Sequence, residues 1–217
     1  MTFLSKMKDL LFHPDAFFTR LENEEINLVP PVLIVLLTGI GLAVTFAIQV
    51  YSTGPVAGRS EDEVLMLLLT SYPVISAFII PVLMWVVASV AICLVARIVS
   101  GTGSLVMTFQ NIGYGLFPSA LYNAVNPLLV FALIPVTMGS SLSGFAMVPM
   151  LFLALVSMIV TVWTFCLWVF GAMHAQRIPM GKAILAVAAA FLFQWLVMLL
   201  IFAFPVVWGE LGPRLFA

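Results

Sequence analysis

The chain has 217 residues, 64% of them hydrophobic and only 8% charged, with a formal net charge of −1 and a mean hydropathy of +1.23. Such values exclude an ordinary soluble globular protein, and the length leaves room for about five membrane spans of roughly 20 residues each, with no sizeable soluble domain. The near-neutral balance offers no basic surface for nucleic acid.

Residues 1–27 read as a cytoplasmic amphipathic segment made of two short helices broken at His13-Pro14. The first gathers Phe3, Leu4, Met7, Leu10 and Leu11 on one side, away from Lys6, Lys8 and Asp9. The second opens with Pro14, which suits a first helical turn, and sets Phe17, Phe18 and Leu21 opposite Asp15, Glu22 and Glu24. Helices of this kind lie in the headgroup plane, and this pair is expected to anchor the first span or to offer a partner surface. No continuous apolar stretch precedes residue 28, so the first span is expected to serve as its own insertion signal.

The remainder, 28–217, reads as a five-span membrane domain with spans at about 28–51, 73–98, 105–135, 146–171 and 183–208. Gly39 and Gly41 in the first span would let a neighbouring helix come close. The loop after it carries the acidic run Glu61-Asp62-Glu63, read as a solvated helix start. Residues 64–97 would make a helix about 20 Å longer than a hydrocarbon core of about 30 Å, so Pro73 and Pro81 are expected to divide them into an interfacial turn and a kinked span. Ser104, after the turn Ser100-Gly101-Thr102-Gly103-Ser104, is the expected cap of the third span. A loop at 138–144, rich in Gly and Ser, leads to the fourth span. A short basic turn, 174–182, leads to the fifth, whose main polar residue is Gln194. Cys93 and Cys166 lie in apolar runs at a spacing that suits neither a disulfide framework nor zinc, and are read as small packing residues.

The third span is the polar one. At about 100° per residue, Asn111, Gly115, Ser119, Tyr122 and Asn126 share an arc of about 80°. Amides facing lipid are costly, so this face is expected to look into protein. Pro118 and Pro127 also free the carbonyls of Tyr114 and Asn123, which then need partners. Asn111, Ser119, Tyr122 and Asn126 are therefore a candidate polar groove, the alternative being hydrogen bonds that only fix the bundle. A second candidate, for headgroup or partner contact, is cytoplasmic: His13, Asp15, Arg97, His174, Arg177 and Lys182.

Orientation follows from charge. Five spans put Lys6, Lys8, Arg20, Arg97, Arg177 and Lys182 on one side and only Arg59 and Arg214 on the other, so the N-terminus is expected in the cytoplasm and the C-terminus outside. Tyr51, Tyr72 and Trp208 then fall near the outer interface. No Asp, Glu, Lys or Arg lies in the middle of a span, which argues against proton-coupled transport, ion pumping and intramembrane proteolysis. The turn Gly101-Thr102-Gly103-Ser104 has neither the Gly-Lys-Ser/Thr nor the preceding strand of a phosphate loop. No enzyme activity, metal or cofactor is expected.

Four motifs, Pro14-Asp15-Ala16-Phe17-Phe18, Gly101-Thr102-Gly103-Ser104, Gly113-Tyr114-Gly115-Leu116-Phe117-Pro118 and Gly181-Lys182-Ala183, resemble the Yip (Ypt-interacting protein) domain family, its prokaryotic members in particular. The resemblance implies an all-α integral membrane protein, a bundle of five transmembrane helices with a cytoplasmic N-terminus. Eukaryotic members are trafficking proteins that associate with prenylated Rab-type GTPases and with one another. Here the segment before the first span is far shorter than theirs, and a small GTPase is not carried over as a partner. The expectation is a scaffold or adaptor in a cell membrane whose partners are the bilayer and a second copy or another membrane protein. The rival is a transporter or channel component for a lipid or small neutral solute, using the polar groove.

Overall fold

The computed structural model describes residues 3–53, 62–63, 72–139 and 143–215, and all regular structure among them is α-helix. Two short helices, α1 (Phe3–Phe12) and α2 (Pro14–Leu21), precede six longer segments. These are α3 (Val29–Thr53), α4 (Tyr72–Ile98), α5 (Leu105–Gly115), α6 (Phe117–Gly139), α7 (Ser143–Gln176) and α8 (Met180–Leu215). Among the described residues five helical stretches, with α5 and α6 counted as one, are long and apolar enough to cross a membrane. Glu61, the stretch 64–71 and residues 140–142 lie outside the described residues, as do the side chains of Tyr51, Tyr72 and Trp208.

The spans close into a ring in which the first packs on the second, the second on the fifth, the fifth on the fourth, the fourth on the third and the third back on the first. Within it α5 is the hub, touching α3, α4 and α7, whereas α6 touches only α3 and α7 closely. The core follows this geometry, with Val35, Trp85, Ile92, Ile112, Trp168 and Val187 converging around α5. Outward-facing Leu, Ile and Phe side chains, such as Leu94 and Leu192, remain exposed, as a lipid-facing surface requires.

The third span breaks at Leu116. Pro118 cannot donate to the Tyr114 carbonyl, and the chain tightens to a Leu116 N–H to Gly113 carbonyl bond of 3.2 Å before α6 resumes. Gly39 and Gly41 both serve close approach, but to different neighbours. A Cβ at Gly39 would lie 2.8 Å from the Phe78 carbonyl oxygen on α4, and one at Gly41 would overlap the Asn123 carbonyl on α6. That carbonyl is the one Pro127 leaves without its helical donor, so the bare Cα of Gly41 faces it directly.

The fourth span extends further than the sequence suggests. Gly171 does not stop it; the helix runs on to Gln176, and His174 is helical rather than part of a turn. It ends where Arg177 adopts φ 53° and the Ile178 N–H reaches back 3.2 Å to the Met173 carbonyl. The end of α4 is built alike, with Ser100 at φ 72° and the Gly101 N–H bonded to the Ala96 carbonyl at 2.7 Å. The fifth helix likewise starts earlier than expected, at Met180. Arg177 holds a backbone conformation that costs an L-residue about 1 kcal/mol, so Arg177→Gly is expected to raise the unfolding free energy in detergent by about that amount, read as a higher unfolding midpoint.

The N-terminal helices form as expected, and the structure shows where their apolar face goes. Met7, Leu10, Phe17, Phe18 and Leu21 are buried in a cluster with Ile34, Tyr114, Ala120 and Leu167 from the spans. The Phe17 ring meets the Tyr114 ring edge-on at 5.3 Å. The pair is thus docked on one end of the bundle, hereafter the near end, with these five side chains covered by protein rather than by lipid, while Phe12 stays exposed.

Candidate functional site

A polar seam runs along the face where α5 and α6 meet α7. At the near end Gln176, fully buried, donates to Thr108 Oγ1 at 2.5 Å and to the Ser104 carbonyl at 3.4 Å. Ser104 caps α5 as expected, its hydroxyl accepting from the Met107 N–H at 3.2 Å. The Gln110 amide, also buried, accepts from the Asn27 N–H at 3.0 Å and ties the entry of the first span to the hub. The next residue, Asn111, fully buried, donates to the Gly171 carbonyl at 3.0 Å. This contact explains Gly171: a Cβ there would sit 3.2 Å from that of Asn111. Gly115 plays the same part for Trp168, whose ring would lie 2.5 Å from an added Cβ.

Beyond the break the seam opens. Ser119 and Thr164 hydroxyls meet at 3.0 Å, Asn123 donates to the Ser119 carbonyl at 2.8 Å, and Asn126 donates to Thr45 Oγ1 at 3.4 Å. Tyr122 and Ser157 of α7 border the same space. Here α3 and α7 both pack on α6 but have little contact with each other, leaving a cleft of about 370 Å3. Leu42, Thr45, Phe46 and Gln49 form one wall, Ser157, Val160 and Thr161 the other, and Ser119, Tyr122, Asn123 and Asn126 the floor.

Three of the four residues expected in a polar groove, Ser119, Tyr122 and Asn126, therefore line one cleft. Asn111 does not, being sealed between α5 and α7 below it. Sequence reasoning about the third span alone missed the walls. Their signal was nevertheless present, since Thr45 with Gln49 on α3, and Ser157, Thr161 with Thr164 on α7, recur at helical spacing.

Among the described residues, the buried side-chain atoms without a hydrogen-bond partner are Ser89 Oγ, Asn111 Oδ1, Trp168 Nε1 and Gln176 Oε1. Three of the four belong to the seam, which concentrates the bundle's unspent polar capacity there. Asn111→Leu removes a bond inside the sealed part and is expected to cost about 1–2 kcal/mol, against about 0.6 kcal/mol or less for Asn126→Leu at the open cleft. Thermal unfolding of both variants in lipid nanodiscs measures the difference.

The expected cluster of charged groups at the near end divides into two. His174 Nε2 lies 3.0 Å from Asp15 Oδ1, its Nδ1 lies 3.6 Å from Glu22 Oε1, and its ring stacks on Phe18 with centroids 6.4 Å apart. This joins α2 to the end of α7. Separately, Lys182 donates to the Val99 carbonyl at 2.8 Å, capping the end of α4, where Arg97 is exposed. His13 stands exposed between α1 and α2, with no side-chain capping bond, and Arg177 is exposed at the α7–α8 turn. Among the described residues His13, Arg97 and Arg177 have no ion-pair partner.

Comparison with known proteins agrees with this architecture. The family model described as Yip1 domain matches residues 8–204. An uncharacterized protein of Methanocaldococcus jannaschii is 30% identical over 116 residues, covering 54% of this chain and 82% of the relative, which agrees with a prokaryotic-type member. No solved structure matches. With nearly the whole chain matched and five helices able to span a bilayer, this multi-pass membrane protein belongs to the Yip1 domain family.

Proposed function

We propose that the protein is a non-enzymatic membrane scaffold or adaptor whose working surface is the outward face of the α1–α2 pair together with the end of α7. The observation that carries this reading is the docking of the pair, whose Met7, Leu10, Phe17, Phe18 and Leu21 side chains are packed against the spans. Its charged side is thereby held in a fixed relation to the bundle. That side bears both signs, paired as Lys6–Glu24 and Arg20–Asp9 at 2.6 Å each. Exposed pairs of this kind contribute about 0–1 kcal/mol, so they shape a surface more than they stabilise it. Six of the eight Lys and Arg residues fall at or beside this end, which supports a cytoplasmic position for it in a cell membrane, with the C-terminus outside.

Transport along the seam has less support. At the near end Asn111 is bonded to Gly171, Gly115 lies against Trp168, and Tyr114 is covered by Phe17, so the cleft does not continue through the bundle. A photoreactive residue placed at exposed Lys8 or Thr19 tests the scaffold reading in intact cells. The expected result is one defined protein adduct, a second copy or another membrane protein, that disappears when Phe18 is replaced by Ala. Adducts to lipid alone, or a pattern indifferent to Phe18→Ala, would refute it.

A further inference from the structure

The docked N-terminal pair does not reach the cleft between α3 and α7. None of its eleven lining residues is charged, and eight carry a hydroxyl or amide. Two of those amides are more than nine-tenths buried, Asn123 at 7% and Asn126 at 8% exposure. Each spends one N–H on a neighbour, Asn123 on the Ser119 carbonyl and Asn126 on Thr45. Among the described residues, the Oδ1 atom of neither amide has a protein donor. Two acceptor oxygens and two further N–H groups therefore face a space without charge. A phosphate or carboxylate would bring an uncompensated negative charge into it, and an ammonium an uncompensated positive one. A hydroxyl group, donor and acceptor at once, is the complement.

The position of the mouth narrows the source. Phe46, Gln49 and Thr161 are exposed at it. Thr161 lies about midway along α7 (Ser143–Gln176), roughly 27 Å from one end and roughly 22 Å from the other at about 1.5 Å per residue, and so close to the middle of the bilayer. The cleft opens sideways onto acyl chains, and Leu42, Phe46 and Val160 supply apolar surface beside the polar floor. An amphiphile can deliver a polar group there while leaving its chains in lipid. The volume, about 370 Å3, lies within the usual size of small-ligand sites, about 300–1,000 Å3.

We infer that this cleft is a lateral binding site for a neutral lipid with a hydroxyl-bearing headgroup of the diacylglycerol type. Asn123 and Asn126 receive the hydroxyl, and Tyr122 and Ser157 border it. The inference is independent of the scaffold reading, which concerns the other end of the molecule.

The test uses the full chain in nanodiscs and two photoreactive, clickable lipids, a diacylglycerol and a phosphatidylglycerol with the same chains. The diacylglycerol probe is expected to label the peptides that line the cleft at least about fivefold more than the charged probe, the discrimination that about one hydrogen bond supplies. Asn126→Leu is expected to cut that labelling by a similar factor. If that variant unfolds, Thr161→Phe, which blocks the mouth from an exposed position, must cut it as well. Equal labelling by both probes overturns the selectivity. Loss of labelling on adding free glycerol assigns the site to a soluble polyol and overturns the lipid. Crosslinks from the cleft to a second copy overturn it too.

Discussion

Phe18→Ala is expected to destabilise the docked N-terminal pair by about 3–5 kcal/mol, the usual cost of emptying a closed aromatic site. Phe18 is fully buried, packs edge-on against Phe17 with centroids 5.2 Å apart, and stacks on His174. It joins α2 to α7, where the Asp15–His174 contact adds only a partly exposed polar pair. Without the ring, the pair loses its anchor while the five spans keep their own core. The effect should therefore be local: fast hydrogen exchange across α1 and α2, and new proteolytic cleavage in the stretch 22–28, with exchange in α5 unchanged. Phe12→Ala is the control, because that ring is 64% exposed and its removal should stay within about 0.5 kcal/mol of neutral. Similar effects of the two substitutions would mean that the pair rests on lipid, contrary to the packing described above.

The same comparison of buried and exposed positions shows what the sequence reveals. Single helices are legible because their signals are local. Pro14 opens α2, Ser104 caps α5, and the alternation around Met7, Leu10, Phe17 and Phe18 marks the face that becomes buried. Helix ends are less legible when a residue serves two purposes. Gly171 resembles a stop, yet it is small because Asn111 needs the space, and the helix continues to an Arg in the left-handed region. Gln176 lies in a stretch that reads as a turn, and its burial depends on Thr108, 68 residues away. The candidate groove was half visible for the same reason. One face of the third span announces its polar groups, but which helices pair with it, and where two of them part, is decided by packing between remote segments. That separation, not the amides alone, makes a cleft of Ser119, Tyr122 and Asn126 and a sealed contact of Asn111.

Gly103→Ala should show how the turn between α4 and α5 holds the near end together. A Cβ at Gly103 would overlap the Ala175 carbonyl, with Gln176 Cα at 2.5 Å, so the obstacle is backbone at the end of α7 and cannot rotate away. The turn is fixed on that helix end by the Thr102 N–H to Gln176 carbonyl bond at 3.1 Å and by Gln176 reaching Ser104 and Thr108. One methyl group would push the turn off the helix end, strain these bonds together, and cost about 2–3 kcal/mol, the upper part of the range for overpacking. Gly181→Ala is chemically the same change in the next turn of the near end, but nothing lies within 4 Å of the added carbon. Gly181 sits in the first turn of α8, where alanine is preferred by up to about 1 kcal/mol, so that variant should be neutral or slightly more stable. Unfolding midpoints of the two variants in one detergent, set beside the parent, decide the matter. Equal losses would place the cost in a general sensitivity of the near end to an added methyl group or in the detergent, and the docking of Gly103 on α7 would no longer account for it.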